Sequence, residues 1–244
     1  MPKVSVNILT KDRAGLLEKA LLSVQKQTFS NYEAVVVNDG STDNTAEVIQ
    51  AFRHLNTQTI NHQTSLGITQ SRQEALLASE GEYVAILDDD DEWIDTGKLA
   101  KQAEHLDEHS DVVLVGGGIK ILNSKFKILK HRPTSDAQIR NTMLFRNNFF
   151  TSTVMFRREA AITAGGFIRD EIDLAEDYDL WLRIGKLGKM FNFREPFTQY
   201  ARSSYNKEKF KLFLKKQSYL IDRYKKEYPR HFLASLILRI RVLL

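Results

Sequence analysis

The chain has 244 residues, a formal net charge of +4, 42% hydrophobic residues and 27% charged ones. That length gives room for one α/β domain with a full core, and the composition is that of a soluble globular protein. With no cysteine in the sequence, disulfides, thiolate metal sites and thiol nucleophiles are excluded.

The positive charge is concentrated at one end. Eleven Lys/Arg and only three Asp/Glu fall between Asn206 and Leu244, so the remainder is slightly acidic. That split argues against a nucleic-acid surface spread over the whole molecule. The N-terminal segment lacks the apolar core of a signal peptide. No apolar stretch approaches the ~20 residues of a membrane-spanning helix. A cytoplasmic setting is expected, with any membrane contact peripheral.

In chain order, Val4 to Leu9 reads as a short apolar strand. Leu17, Ala20, Leu21 and Val24 then recur at helical spacing. Ala34 to Val37 is a β-branched run ending at Asn38-Asp39-Gly40-Ser41, and Ser41, Thr42 and Asp43 are candidate caps for a helix reaching about Leu55. Thr57 to Asn61 is a weak strand, Leu66 to Ala78 a helix, and Tyr83 to Leu87 a strong strand that stops at four aspartates. Repeated β-α units predict a parallel sheet covered on both faces.

Beyond residue 110 the pattern becomes mixed. Val112 to Val115 reads as a strand followed by Gly116-Gly117-Gly118. Ile119 to Leu122 and Phe126 to Leu129 suggest a hairpin. Thr151 to Phe156 is a further strand candidate, and Ala175 to Gly188 holds a helix. Two basic helices close the chain. In the second, Leu233, Leu236, Ile237, Ile240 and Leu244 form a stripe flanked by Arg230, Arg239 and Arg241. Membrane insertion and packing on the domain are equally compatible with that stripe.

Ligands of open α/β sheets bind at the carboxyl ends of the strands. Two strands here end in acids, one at Asp39 and one at Asp88 to Asp91. A single Asp after a strand is a common turn residue, but four in a row repel one another unless a cation is near. Hard oxygen ligands suit Mg²⁺ or Mn²⁺ together with a polyphosphate. A solvated turn is the plainer alternative. An EF-hand calcium loop is excluded, because Trp93 and Leu99 stand where that loop requires Gly and Glu.

Several ordered motifs make the reading more specific. They are Val4-Ser5-Val6-Asn7-Ile8-Leu9-Thr10-Lys11-Asp12-Arg13, Leu22-Ser23-Val24-Gln25-Lys26-Gln27-Thr28 and Val37-Asn38-Asp39-Gly40-Ser41-Thr42-Asp43. Leu66-Gly67-Ile68-Thr69-Gln70-Ser71-Arg72, the run from Gly81 to Trp93, and Ala175-Glu176-Asp177-Tyr178-Asp179-Leu180-Trp181-Leu182-Arg183 follow. Together they resemble family 2 glycosyltransferases.

The resemblance implies an α/β GT-A fold. A nucleotide half over residues 1–110 would join an acceptor half over 111–205, with a basic helical extension over 206–244. It places Thr10 and Asp12 beside the base, Asp39 on the uracil or its equivalent, and Arg72 near the nucleotide or its phosphates. Asp88 and Asp90 become the two acids of the D-x-D signature. Asp90 is then the direct ligand of Mn²⁺ or Mg²⁺ and Asp89 a ribose contact, although a run of four lets the motif be read one residue either way.

The resemblance also makes Asp177 the catalytic base and Glu176 its helper. An inverting transfer needs one base to take the acceptor's proton and no second acid, unlike hydrolysis by paired carboxylates. Without the resemblance, both acids are adequately explained as favourable charges at a helix N-terminus.

Other features carry less. Gly165-Gly166-Phe167 is similar to a family loop near the acceptor but is equally a turn. Trp93 and Trp181 are expected in the core, and the six histidines show no ligand spacing. Tyr200-Ala201-Arg202 lacks the histidine of many relatives, and the Q-x-x-R-W motif of processive relatives is missing. The expected function is one sugar transferred per encounter from a nucleotide-sugar donor, UDP-linked, to a hydroxyl of a glycan or lipid-linked acceptor in surface polysaccharide synthesis. A polyprenyl-phosphate sugar synthase is the near alternative, and a nonenzymatic adaptor the distant one.

Overall fold

Strands β1 (Val4–Thr10), β2 (Tyr32–Asn38), β3 (Thr57–Asn61) and β4 (Tyr83–Asp88) lie side by side in the order β3-β2-β1-β4, all parallel. The computed structural model describes all residues except 123–126, 168–174, 201–206 and 244. β1, β2 and β4 read as near-continuous apolar runs because both faces of the sheet are covered.

The two-residue period of a strand divides these side chains between the faces. Tyr83, Ala85 and Leu87 join Val4, Val6 and Ile8 beneath α1 (Ala14–Gln25), α2 (Thr45–Ala51) and α4 (Lys98–Glu108). Val84 and Ile86 face the other way, in a cluster with Leu76 of α3 (Ile68–Ala78). The helix expected to reach Leu55 is shorter. It ends at Ala51, and a 3-10 turn, Arg53–Leu55, follows it.

The sheet then turns mixed. β5 (Glu92–Trp93) follows the aspartates, and β6 (Val112–Leu122), β7 (Lys127–Lys130), β8 (Met155–Arg157) and β9 (Lys189–Tyr200) extend the order to β3-β2-β1-β4-β8-β6-β9-β5, with β7 on β6. β8 is antiparallel to β4 and β6, and β9 is parallel to β6. β6 does not stop at its three glycines as expected. A Cβ on Gly116 would meet Asn192 Oδ1 at 2.3 Å, and one on Gly117 would meet the Phe197 ring at 2.3 Å. Glycine is therefore set here by the close approach of β9, not by a turn. The segment Thr151 to Phe156 begins as a 3-10 turn, Thr151–Thr153, before β8. β7 pairs with β6 as an antiparallel partner, while the expected Asn-Ser-Lys turn and Phe126 lie outside the described residues.

On the second face sit α5 (Asp136–Thr142), α6 (Arg158–Thr163), α7 (Glu176–Ile184), α8 (Lys207–Arg223) and α9 (His231–Leu243). Trp181 is at the centre of this cluster and Trp93 in the opposite one, both buried as expected. The closing helices are part of the same core. Leu214, Leu220, Ile221, Tyr224, Tyr228, Ala234 and Leu238 are buried with Trp181 and Tyr178. The Tyr224 hydroxyl donates to Asp179 Oδ1 at 2.6 Å, and the Tyr228 hydroxyl to the Leu182 carbonyl at 2.9 Å. Because α9 packs through Ala234 and Leu238, Leu233, Leu236 and Ile240 of the stripe read from the sequence are exposed and Ile237 is half-buried, while Leu244 lies outside the described residues. Phe232 is 82% exposed.

Candidate active site

The carboxyl ends of β1, β2 and β4 open into one cleft of about 430 Å³, lined by Thr10, Arg13, Asp39, Ser71, Arg72 and the carboxylates Asp88 to Asp90. Thr10, Asp39, Arg72, Asp88, Asp89 and Asp90 are thereby brought together as the sequence predicted. The Ser71 hydroxyl is buried and has no hydrogen-bond partner among the described residues, while the Thr10 hydroxyl bonds Asp89. An orphaned donor such as Ser71 calls for a polar occupant.

Asp12 lies just outside, in the left-handed region at φ 51°. Its Oδ1 accepts from the Thr42 backbone N–H at 2.7 Å, and its own N–H donates to Ser41 Oγ at 2.9 Å. Asp12 thus ties the loop after β1 to the loop after β2. Asp43, expected as a cap, accepts from the Thr45 N–H at 3.1 Å and also from the Ala14 N–H at 3.1 Å, joining α2 to α1.

Asp39 is heavily committed. Oδ1 accepts from His62 Nδ1 and from the Leu66 N–H, both at 2.7 Å. Oδ2 accepts from Ser65 Oγ at 2.6 Å and the Gly67 N–H at 3.1 Å. Burial alone would raise this carboxyl, but the four donors outweigh it and hold it down at about 2. The other ring nitrogen of His62 meets Glu74 Oε2 at 2.7 Å. Burial disfavours the imidazolium, yet the two carboxylates prevail and raise the His62 pKa. A carboxylate thus faces each ring nitrogen, an arrangement that favours the imidazolium.

In the aspartate run each carboxylate has its own task. Asp91 turns inward to accept from Ser152 Oγ at 2.6 Å. Asp89 is nearly buried; burial pushes its carboxyl up, while the Thr10 hydroxyl and Arg13, which donates at 2.9 Å, draw it back. Asp88 and Asp90 retain exposure of 32% and 39% on the cleft side. Arg13 Nη1 also lies 3.5 Å from Asp90 Oδ2.

Arg72, buried on α3, connects this cleft to the second acidic pair. Its Nη2 donates to Asp88 Oδ1 at 2.9 Å and its Nε to Glu176 Oε1 at 3.1 Å. Burial works against the guanidinium's charge, but Asp88 and Glu176 outweigh it. Burial, reinforced by Asp177, pushes the Glu176 carboxyl up. Asp177 at the start of α7 is only half-buried. Its Oδ2 accepts from Thr151 Oγ1 at 2.7 Å and Asn147 Nδ2 at 3.1 Å, and its Oδ1 from the Tyr178 N–H at 2.6 Å. Gly165 and Gly166 both have positive φ and form a turn. It seats Phe167 against α3, where the Phe167 N–H donates to Gln73 Oε1 at 2.8 Å. Tyr200 is described at the end of β9, whereas Ala201 and Arg202 lie outside the described residues.

Sequence reasoning missed His62, Arg13, Asn147 and Thr151. His62 directly follows the end of β3, so the strand-end rule that singled out Asp39 applied to it equally. Arg13, Asn147 and Thr151 reach their carboxylates across 76, 30 and 26 positions, and no local pattern marks them.

No group of three or more acidic or histidine side chains gathers as a metal cage among the described residues. Two carboxylates facing a cleft nevertheless fit Mg²⁺ or Mn²⁺, which commonly take one or two protein carboxylates and fill the rest of the shell with phosphate and water.

The model of the family described as "Glycosyl transferase family 2" matches residues 5–165. An "Uncharacterized glycosyltransferase" of Haemophilus influenzae is 26% identical over 82% of this chain, which spans 65% of that relative's length. The "Amylovoran biosynthesis glycosyltransferase AmsE" of Erwinia amylovora is 29% identical over 77% of this chain and 71% of its own. Among solved structures, that of S. aureus TarS 1-349 in complex with UDP-GlcNAc superposes with a TM-score of 0.73 at 21% identity. The match covers 99% of this chain and 71% of that one. The chain belongs to glycosyl transferase family 2 and has its GT-A fold.

Proposed function

We propose that this chain transfers a sugar, with inversion, from a UDP-linked donor to a hydroxyl of a glycan or lipid-linked acceptor in surface polysaccharide synthesis. The observation that carries this reading is the pairing of two acidic sites across Arg72. A cleft holding Asp88 and Asp90 stands on one side, and an Asp177 fixed by Asn147 and Thr151 on the other. The TarS structure superposed above was solved with UDP-GlcNAc, and AmsE is named for amylovoran biosynthesis. Both support a nucleotide-sugar donor and a polysaccharide product.

In this reading the diphosphate sits on the cleft side of Asp88 and Asp90, which would hold Mn²⁺ or Mg²⁺. The metal would supply Lewis-acid stabilisation of the leaving diphosphate's charge. Asp89 would meet the ribose. Ser71 offers its unpartnered hydroxyl to the nucleotide, and Thr10 a hydroxyl beside Asp89. The base would meet Asp39 in exchange with the Ser65 hydroxyl, the one donor on Asp39 able to rotate away. Arg72 keeps a positive charge behind Asp88, where negative charge grows as the glycosidic bond breaks. Asp177 takes the acceptor's hydroxyl proton, with Glu176 held beside it by Arg72.

The test is Mn²⁺-dependent binding of UDP by calorimetry, with Asp90→Ala as the variant. The wild type should bind UDP more tightly with Mn²⁺ than with chelator, and Asp90→Ala should erase the difference. Equal UDP affinity with Mn²⁺ and with chelator in the wild type would remove the metal from the reading.

A further inference from the structure

A second cleft of about 520 Å³ is bordered by α5, β9 and the turn that enters α9. Arg132, Arg146, Arg194, Arg230 and His131 line it, and no carboxylate is among its lining residues. None of these four arginines has an ion-pair partner among the described residues. Arg146, Arg194 and Arg230 are exposed at its rim, whereas Arg132 is half-buried; among the described residues its Nε has no hydrogen-bond partner, and its guanidinium lies 4.5 Å over the Phe150 ring. Burial and the neighbouring Arg146 both press Arg132 away from its charged form, as expected of like charges gathered without a counter-ion.

The position of this cleft is informative. Phe150 adjoins Thr151, and Arg146 adjoins Asn147; Thr151 and Asn147 are the two side chains that hold Asp177. Phe150 also packs edge-on against Tyr200 at 5.9 Å between ring centres. Arg230, on the far side, leads directly into α9 and its exposed Phe232, Leu233, Leu236 and Ile240. Tyr200 in turn faces the charges of Asp88, Asp91 and Asp177, so the cleft borders the site on one side, and Arg230 ties it to α9 on another.

We propose that this cleft is a binding site for a phosphoryl group, mono- or diphosphate, carried by the acceptor, with Arg132, Arg146, Arg194 and Arg230 as its donors. Guanidinium forks match phosphate oxygens in geometry and form charge-assisted hydrogen bonds with them. A phosphoryl group seated here fixes one end of the acceptor while its hydroxyl is presented to Asp177. Specificity would then rest on a charge remote from the reacting oxygen. This inference rests on the acceptor side of the proposed function and is independent of the metal and donor.

The test uses the full chain in chelator, so that diphosphate does not bind through a metal at the donor cleft. Inorganic diphosphate and farnesyl diphosphate are titrated by calorimetry into the wild type, Arg132→Gln, and Arg146→Glu/Arg194→Glu. The last pair alters exposed side chains and spares the fold. Wild-type binding should fall at least about tenfold in both variants, as expected when a charged hydrogen bond is lost. UDP affinity measured with Mn²⁺ should hold, reporting an intact donor cleft. Tighter binding of farnesyl diphosphate than of inorganic diphosphate would assign the group to a lipid carrier, and equal binding would assign it to a free or polymeric phosphate. No diphosphate binding by the wild type, or equal affinity in all three proteins, overturns the proposal. Loss of Mn²⁺-dependent UDP binding in the wild type would instead overturn the proposed donor chemistry and leave this site standing.

Discussion

Arg72 Nε and Glu176 Oε1, 104 positions apart in sequence, are joined by a 3.1 Å hydrogen bond between side chains only 5% and 8% exposed. The same guanidinium reaches Asp88. Removing one partner of a buried pair leaves the other's charge without compensation, which costs about 3–5 kcal/mol. Arg72→Ala should therefore lower unfolding free energy in urea by that order. Arg72→Ala/Glu176→Gln should recover most of the loss, because a neutral amide at Glu176's position tolerates burial better. Equal stability of wild type and Arg72→Ala would show that the pair contributes nothing net.

The His62 bridge gives stability a pH dependence of definite sign. Its pKa is raised in the folded state by Asp39 and Glu74 despite burial, so its contribution is complete below the ordinary histidine value of about 6.5. That contribution is lost as pH rises through the higher folded value. His62→Gln should accordingly depress the melting temperature more at pH 6 than at pH 9. A deficit that is constant, or larger at pH 9, would mean that the ring is neutral in the fold. Asp39 behaves oppositely and much lower. Its stabilisation is present above the ordinary carboxylate range and is lost only as pH falls toward about 2.

Asp177→Asn separates catalysis from a structural role in the first turn of α7. The amide keeps the size of the side chain and can still accept from the Tyr178 N–H, but it cannot take up a proton. Loss of a general base costs about 10²–10⁴ in rate. The expected result is a fall of that order in kcat for sugar transfer, with UDP affinity unchanged because the donor cleft is built elsewhere. Asp177 lies in the first turn of α7 and does not cap it; the macrodipole benefit of one carboxylate there is about 0.3–1 kcal/mol, so a purely structural Asp177 would leave the rate nearly intact.

The outward face of α9 leads to a membrane experiment. No helix among the described residues is long and apolar enough to cross a bilayer. Phe232, Leu233, Leu236 and Ile240 nevertheless face outward between Arg230, Arg239 and Arg241. Each basic residue near an anionic leaflet contributes about 1 kcal/mol. The chain should float with vesicles containing phosphatidylglycerol and less well with neutral ones. Phe232→Ser/Leu236→Ser should reduce flotation without unfolding, since neither side chain is in the core. Equal flotation of wild type and variant would leave α9 without this role.

How much of this was legible beforehand follows from physics. β1, β2 and β4 were readable because strands covered on both faces are uninterrupted apolar runs, and their C-terminal acids marked the cleft. β9 was not, because Lys189 to Tyr200 mixes apolar, charged and proline residues along a twelve-residue strand paired on both sides. The glycines of β6 looked like a turn because their cause, the Phe197 ring and Asn192, lies some 75–80 positions away in the chain. Asp88 and Asp177 announced themselves by local motif. Arg72 was marked by its motif too, but its bond to Glu176 104 positions on was not, and Thr151 and Asn147 reach Asp177 across stretches that no local window spans; a lone histidine such as His62 carries no signature until two carboxylates are seen to face it.

The packing of α8 and α9 bears on what counts as a unit here. The family model's match ends at residue 165, whereas the buried cluster holding Trp181, Tyr178 and Leu182 draws in side chains as late as Leu238. Any exchange of acceptor-side sequence between relatives would have to carry the closing helices along, or leave a face of the α7 helix wet and prone to self-association.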